Sequence, residues 1–298
     1  MPLTSLVRPL GLAAGTALLI ACADAAPPAP ASALAAPQPA QSACAPLATT
    51  PSAAQAARVD AALAVVRQGR VPESASPYMS PPGTASQPSG EPRQTGFYAL
   101  DGFSAWIGDI AEADAPARRL TLVWDETREA ARLAHIHLSE PTSLGGQLAT
   151  IAPDPQGDAD SPLRADVEDF WSAWTDTDMP RVTANYVEDD STLVILPWVP
   201  DAFRGWSAFR DAAQGVIDGM DRFGMSPSGA ARTWRSDGAA LTVGTWEVDL
   251  EAVDGAQTRG DGRYTLLWRR CEDGWRVQHE HLSSWAAESA NSSSGDQP

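Results

Sequence analysis

The chain holds four histidines, and they fall in two H-x-H pairs, His135/His137 and His279/His281. Imidazole gives or takes a proton near neutral pH, and residues i and i+2 of a β-strand share a face. On a strand expected over Trp275 to Ser283, plain alternation groups Trp275, Val277, His279, His281 and Ser283 on one side. Arg276, Gln278 and Glu280 fall on the other, and Leu133, His135 and His137 repeat the first grouping. His279 and His281 are therefore expected to face an apolar interior as acid/base or hydrogen-bonding groups. The competing reading is a pair of core histidines bonded to helix backbone or to a neighbouring Tyr or Trp. Two H-x-H pairs offer four imidazoles to a metal, but no Cys or carboxylate stands at a regular spacing beside them, and no metal is expected.

Composition removes several other chemistries. All 21 basic residues are Arg, against 38 acidic ones, for a net charge of -17. Without lysine there is no Walker-type or Schiff-base lysine, so no pyridoxal phosphate chemistry, and no cofactor is expected. The acidic balance argues against nucleic acid or anionic lipid as a main partner. Asp178, Asp189 and Asp190 read as caps or turn residues. Arg263 is either a surface arginine or a contact for an anionic ligand.

The N-terminus reads as an address, with residues 1–21 as a signal peptide. Arg8 precedes an apolar run from Leu10 to Ala21, too short for a bilayer span and suited to a signal-peptide core. Leu19-Ile20-Ala21-Cys22 resembles a bacterial lipobox, which makes Cys22 the expected lipidation site; cleavage after Ala23 or Ala25 is the alternative. Both readings export the protein. Ala23, in place of an acidic residue after the Cys, favours a lipid anchor on the outer membrane facing the periplasm. Of the other cysteines, Cys44 and Cys271, an oxidising compartment permits pairing and nothing in the sequence forces it.

Composition then divides the chain. Residues 22–53 are Ala/Pro-rich and read as a tether. Residues 54–141 read as a strand-rich module with a short helix near Val59, Leu63, Val65 and Val66, interrupted by a Pro/Ser-rich insert at 72–92. Residues 142–160 read as a linker, 161–285 as a complete domain and 286–298 as a disordered tail.

The two folded parts resemble each other. Leu120–Pro141 aligns without a gap on Tyr264–Trp285, matching Thr121 with Thr265, Trp124 with Trp268, His135 with His279 and His137 with His281. Chance gives roughly one or two identities over such a stretch, so it reads as an internal repeat. In the second part, Leu163, Val167, Phe170, Trp171 and Trp174 recur at helical spacing. Asp178 and Pro180 start a short second helix, Thr192–Leu196 is a strand, and Phe209, Ala213, Val216, Met220 and Phe223 mark a third helix. Strands follow at about Ser228–Trp234, Ala240–Leu250, Arg263–Arg270 and Trp275–Ser283. Helices first and an antiparallel meander after them is an α+β order.

That order, with the ending GDGRYTLLWRRCEDGWRVQHEHLS, resembles the SnoaL-like, nuclear-transport-factor-2-like superfamily, and branches related to the association domain of calmodulin-dependent kinase in particular. The resemblance covers about Arg164 to Trp285, with Phe97 to Pro141 as a partial second copy. It implies a cone of helices packed on a curved antiparallel sheet around an apolar pocket, and dimerisation, which the partial copy can supply as an intramolecular pseudo-dimer in place of a homodimer. The aromatic residues Trp171, Trp174, Tyr186, Trp198, Trp206 and Trp246 are candidates to line that pocket, with His279 or His281 as the polar contact. Two functions are carried forward. One is a non-catalytic binding or assembly module for a small apolar or aromatic ligand. The other is a histidine-based isomerase, cyclase or dehydratase.

Overall fold

The computed structural model describes residues 43–68, 90–110, 117–127, 131–139, 163–197, 199, 201–229 and 231–289. The signal segment with Cys22, nearly all of the Pro/Ser-rich insert, the 142–160 linker and Trp198 lie outside the described residues. Everything described belongs to one compact unit, Gln41–Pro298. Among the described residues no helix is long and apolar enough to cross a membrane.

Helix α1 spans Ala53–Val66 and opens with a reciprocal cap, in which the Ser52 hydroxyl accepts from the Gln55 amide and the Gln55 side chain accepts from the Ser52 amide. Its Val59, Ala62, Leu63 and Val66 recur every three or four residues and are buried. They cover one face of a four-stranded antiparallel meander made of β1 (Pro92–Leu100), β2 (Phe103–Ile110), β3 (Arg118–Asp125) and β4 (Arg132–Ser139), with Phe97, Trp106, Leu122 and Trp124 beneath them. Gly102 makes the tight β1–β2 turn at φ 79°, a conformation glycine takes without steric cost.

The C-terminal part has three helices. They are α2 (Arg164–Thr175), α3 (Met179–Ala184, capped by the Asp178 carboxylate with Pro180 in its first turn) and α4 (Trp206–Asp218). They pack on a seven-stranded sheet built from β5 (Leu193–Ile195), β6 (Phe203–Arg204), β7 (Met220–Pro227), β8 (Arg232–Arg235), β9 (Ala239–Ala252), β10 (Gln257–Cys271) and β11 (Gly274–Ser289). The order is β6-β5-β11-β10-β9-β7, with β8 paired to β9, and β5 alone runs parallel to its neighbour β11. The third helix is shorter than its periodicity predicts. It ends at Gly219, and Met220 and Phe223 belong to β7, whose ladder with β9 starts at the Met220–Ala252 pair. Gly215 and Gly219 make further helix costly there, and a strand edge is available to pair.

Four layers result: α1, the N-terminal sheet, the C-terminal sheet, and the helices α2–α4. The two sheets meet through Tyr98, Phe103, Ala105, Ile107 and Val123 on one side and Leu193, Ile195, Leu241, Val243 and Leu267 on the other. Residues expected as tether up to 53 are tied in well before that. Cys44 is disulfide-bonded to Cys271, the Ala45 amide donates to the Arg270 carbonyl at 2.7 Å, and Ala48 pairs with Ala99 of β1. The segment from Cys44 to Ala48 is thus a strap across both sheets.

Candidate functional site

The last strand is where alternation fails. In the β10–β11 ladder Leu267 pairs with His279 but Trp268 pairs with Val277, so Gln278 is an extra, bulged residue. Its side chain is held at both ends, accepting from Arg269 Nη1 at 3.3 Å and donating to Ser191 Oγ at 3.0 Å. A one-residue shift sends every following side chain to the opposite face. Trp275 and Val277 stay with the helices, and Glu280 and Leu282 join them, while His279, His281 and Ser283 turn to the N-terminal sheet. The expectation that His279 and His281 face the helical interior is therefore corrected. The β3–β4 ladder carries a bulge at the aligned place: Val123 pairs with His135, Trp124 with Leu133, and Ala134 is the extra residue. A signal for it was present in the sequence, since the apolar face jumps three residues, from Leu133 to Ile136, where a plain strand would step by two.

The four histidines meet between the sheets. His279 Nδ1 lies 2.8 Å from the Leu193 carbonyl, so it donates there and leaves Nε2 as an acceptor in the neutral ring. The Thr121 hydroxyl then donates to His279 Nε2 at 3.0 Å and accepts from His281 Nδ1 at 2.9 Å. Across the interface Thr265 takes the matching position, 2.7 Å from His135 Nε2 and 2.8 Å from His137 Nδ1. His137 and His281 stack at 3.8 Å between ring centroids. Burial holds all four below the ordinary imidazole value, to about 3 for His135 and about 4 for His279. This is a neutral, hydrogen-bonded interface. Among the described residues no group of three or more His, Cys, Asp or Glu is placed to hold a metal.

On the other face of the C-terminal sheet, the Tyr186 hydroxyl donates to Glu280 Oε2 at 2.6 Å, and both side chains are buried. Tyr186 follows α3 and is pinned by a bridge to Val277. Trp206, the first residue of α4, stacks on the Tyr186 ring at 4.7 Å, and Phe170 and Phe209 tilt against it at 5.7 and 5.3 Å. Burial pushes the Glu280 carboxyl up to about 7, an effect the tyrosine hydrogen bond partly counters. Burial beside that carboxyl also raises Tyr186 well above its ordinary value, so the phenol keeps its proton and stays a donor. The buried indole N–H groups of Trp171 and Trp206 have no hydrogen-bond partner among the described residues.

The fold thus brings Trp171, Trp174, Tyr186 and Trp246 together in one cluster with Trp206 and Phe209, and leaves His279 and His281 out of it. Trp246 is also structural, its indole donating to the Arg263 and Ser283 carbonyls at 3.0 and 3.1 Å. Strand alternation placed Glu280 on the wrong side. The gapless alignment sets Ile136 opposite Glu280, and Ile136 is buried under α1 with Leu122 and Trp124. One sheet therefore fills this inward position with a hydrocarbon and the other with an acid.

Residues 163–287 match the family model described as a SnoaL-like domain. No curated protein matches the chain. Similar solved structures include a nuclear transport factor 2-like superfamily protein from Salmonella enterica subsp. enterica serovar Typhimurium str. LT2, at 17% identity over 46% of this chain and 94% of that one, with a TM-score of 0.39. An NTF2-like protein of unknown function from Pseudomonas putida KT2440 is 25% identical over 41% of this chain and 82% of its own, with a TM-score of 0.33. A protein with a cystatin-like fold from Caulobacter vibrioides is 21% identical over 41% and 86%, with a TM-score of 0.35. The segment that carries Tyr186, Glu280 and their aromatic surround, residues 163–287, is a SnoaL-like domain of α+β, nuclear-transport-factor-2-like fold.

Proposed function

We propose that this domain binds a small, flat, largely apolar molecule among its aromatic side chains, with Glu280 and Tyr186 as the polar anchor. The observation that carries the reading is the buried acid itself. A carboxyl held in an aromatic cluster by one tyrosine hydroxyl is costly to the fold, and the aligned place in the N-terminal sheet does without it as Ile136. Apolar area supplies affinity, and one or two placed polar groups supply orientation. The wider proposal is an exported binding or assembly module, lipid-anchored through Cys22 on the periplasmic side of the outer membrane. The Cys44–Cys271 disulfide supports export, because such bonds persist in oxidising compartments. We read the N-terminal sheet as a partial repeat of the domain that stands in for a dimer partner. Neither nucleic acid nor a cofactor has a place in this reading.

The test uses the full chain and the probe 2-naphthol, whose hydroxyl can meet Glu280, with naphthalene as the apolar control. Saturable quenching of tryptophan fluorescence by 2-naphthol is expected. Glu280→Ile, which copies the N-terminal sheet, is expected to stay folded and to weaken 2-naphthol by about two- to tenfold while sparing naphthalene, the effect of one hydrogen bond. Equal loss for both probes, or for neither, would remove the anchor assignment.

A second reading, proton-transfer catalysis of an isomerisation, cyclisation or dehydration, is favoured by one observation. A Glu280 carboxyl at about 7 is available both as acid and as base near neutral pH. It predicts that the protein exchanges the α-protons of 2-tetralone for solvent deuterium, seen by proton NMR, and that Glu280→Gln stops the exchange. Exchange that matches buffer alone would dismiss it.

A further inference from the structure

The residues that carry the site are joined by one stretch of chain. It runs from Tyr186 through β5 and β6 to Trp206, and β5 lies alongside β11 with Val194 paired to Glu280. Within the domain this stretch is anchored by the Val187 amide on the Val277 carbonyl at 3.0 Å, the Gly205 amide on the Thr192 carbonyl at 2.8 Å and the Trp206 amide on the Asp189 carbonyl at 3.1 Å.

The N-terminal sheet holds the same stretch at both ends of β5. Before β5, the buried Tyr98 of β1 donates its hydroxyl to the Ser191 carbonyl. After β5, the buried Arg119 of β3 donates from Nη1 to the Leu196 carbonyl at 2.5 Å and from Nη2 to the Val199 carbonyl. Between them Thr121 closes on His279 and His281, the neighbours of Glu280 in β11. Desolvation lowers the pKa of the Arg119 guanidinium, and a buried charge persists only where polar partners compensate it. The two carbonyls it binds lie outside the ladder bonds of β5; without Arg119 the Val199 carbonyl would lose this partner, and the Leu196 carbonyl would keep only the Val199 amide at 3.4 Å.

We propose that the N-terminal sheet clamps the site-bearing segment of the SnoaL-like domain, with Tyr98 and Arg119 as positioning residues for Tyr186, Glu280 and Trp206. Neither touches those three side chains. They act through the backbone of residues 187–206, whose placement sets the distance between Tyr186 and Glu280 and the stacking of Trp206. The effect on ligand affinity rests on the binding reading above; the clamp itself does not.

The experiment compares three full-chain variants with the wild type. Tyr98→Phe removes one hydroxyl and keeps the ring, and Arg119→Lys keeps the charge and loses the two-pronged contact. Leu63→Ala is the control, since it loosens α1 on the far face of the same sheet without touching the clamp. Amide hydrogen exchange over residues 187–206 and the 2-naphthol dissociation constant are read well below each unfolding temperature. Tyr98→Phe and Arg119→Lys are expected to speed exchange in that segment, leave β9 and β10 protected, and weaken the probe by about two- to tenfold. Leu63→Ala is expected to do neither. The clamp is overturned if segment exchange is unchanged in both clamp variants, or if Leu63→Ala shifts it equally. Should wild-type protein fail to bind 2-naphthol, the binding reading falls, and the exchange comparison still decides the clamp.

Discussion

Glu280 and the four interface histidines pull stability in opposite directions as pH falls. The histidines have folded pKa values depressed below 6.5, so below that value the unfolded chain binds protons the folded one refuses. Their contribution is intact above about pH 6.5 and is lost on acidification, by roughly 2 kcal/mol at pH 5 for each of His135 and His279. Glu280 has its folded pKa raised from 4.5 to about 7, so it costs most above pH 7 and is relieved as pH falls toward 4.5. Four imidazoles outweigh one carboxyl, and urea midpoints are expected to fall between pH 7 and pH 5. Glu280→Gln should raise the midpoint at pH 8 and steepen the acid decline, having removed the opposing group. A midpoint that rises toward pH 5 in the wild type would contradict the neutral-histidine interface.

At the scale of the strand, one residue decides which chemistry faces which way. Gln278→Ala keeps the bulge and removes two side-chain hydrogen bonds, so a loss of about 1–2 kcal/mol is expected. Deleting Gln278 removes the bulge and leaves Val277 opposite Trp268 and His279 opposite Leu267 in a plain ladder, so Glu280 and Leu282 stay with the helices and His279 and His281 stay against the N-terminal sheet. Soluble folded protein with the native faces is expected from the deletion, at a cost of the same order as Gln278→Ala. If the deletion variant lost its native near-ultraviolet circular dichroism, the faces would not be set by Gln278 as a single extra residue.

For the whole molecule, the strap joins what the two sheets' shared interface already holds. The Cys44–Cys271 bond closes a sequence separation of 227 residues, and it ties the segment leading to the proposed anchor onto the end of β10. A bond that closes so long a loop restricts the unfolded chain, with a stabilisation of about 5 kcal/mol in the chain-entropy account. Cys44→Ser should lower the unfolding free energy by that order without altering the 2-naphthol constant. An unchanged denaturation midpoint would mean that the strap adds nothing the sheet interface does not already provide.

Helical spacing placed α2 from Leu163 to Trp174, the Asp178 cap with Pro180 placed α3, and the β-branched run ending at Pro197 placed β5. Those elements were legible because their signals are local: a period, a cap, a breaker. The SnoaL-like fold was legible for the same reason, from element order and the ending through His281. The face of the histidines was not legible, because a bulge is a property of the ladder between two strands and leaves only a jump in spacing within one of them. Glu280 could be assigned to the site only once Gln278 was seen to have no partner in β10. Nor could the Cys44–Cys271 pair be read from spacing, since a segment rich in Ala and Pro has no period, and what brings it to the end of β10 is backbone pairing of Ala45 with Arg270 and of Ala43 with Glu272. The amino-acid sequence by itself determined the elements, their order and the family resemblance. Which polar groups are buried together was decided by register and sheet-on-sheet packing, where a shift of one residue exchanges a histidine for a glutamate.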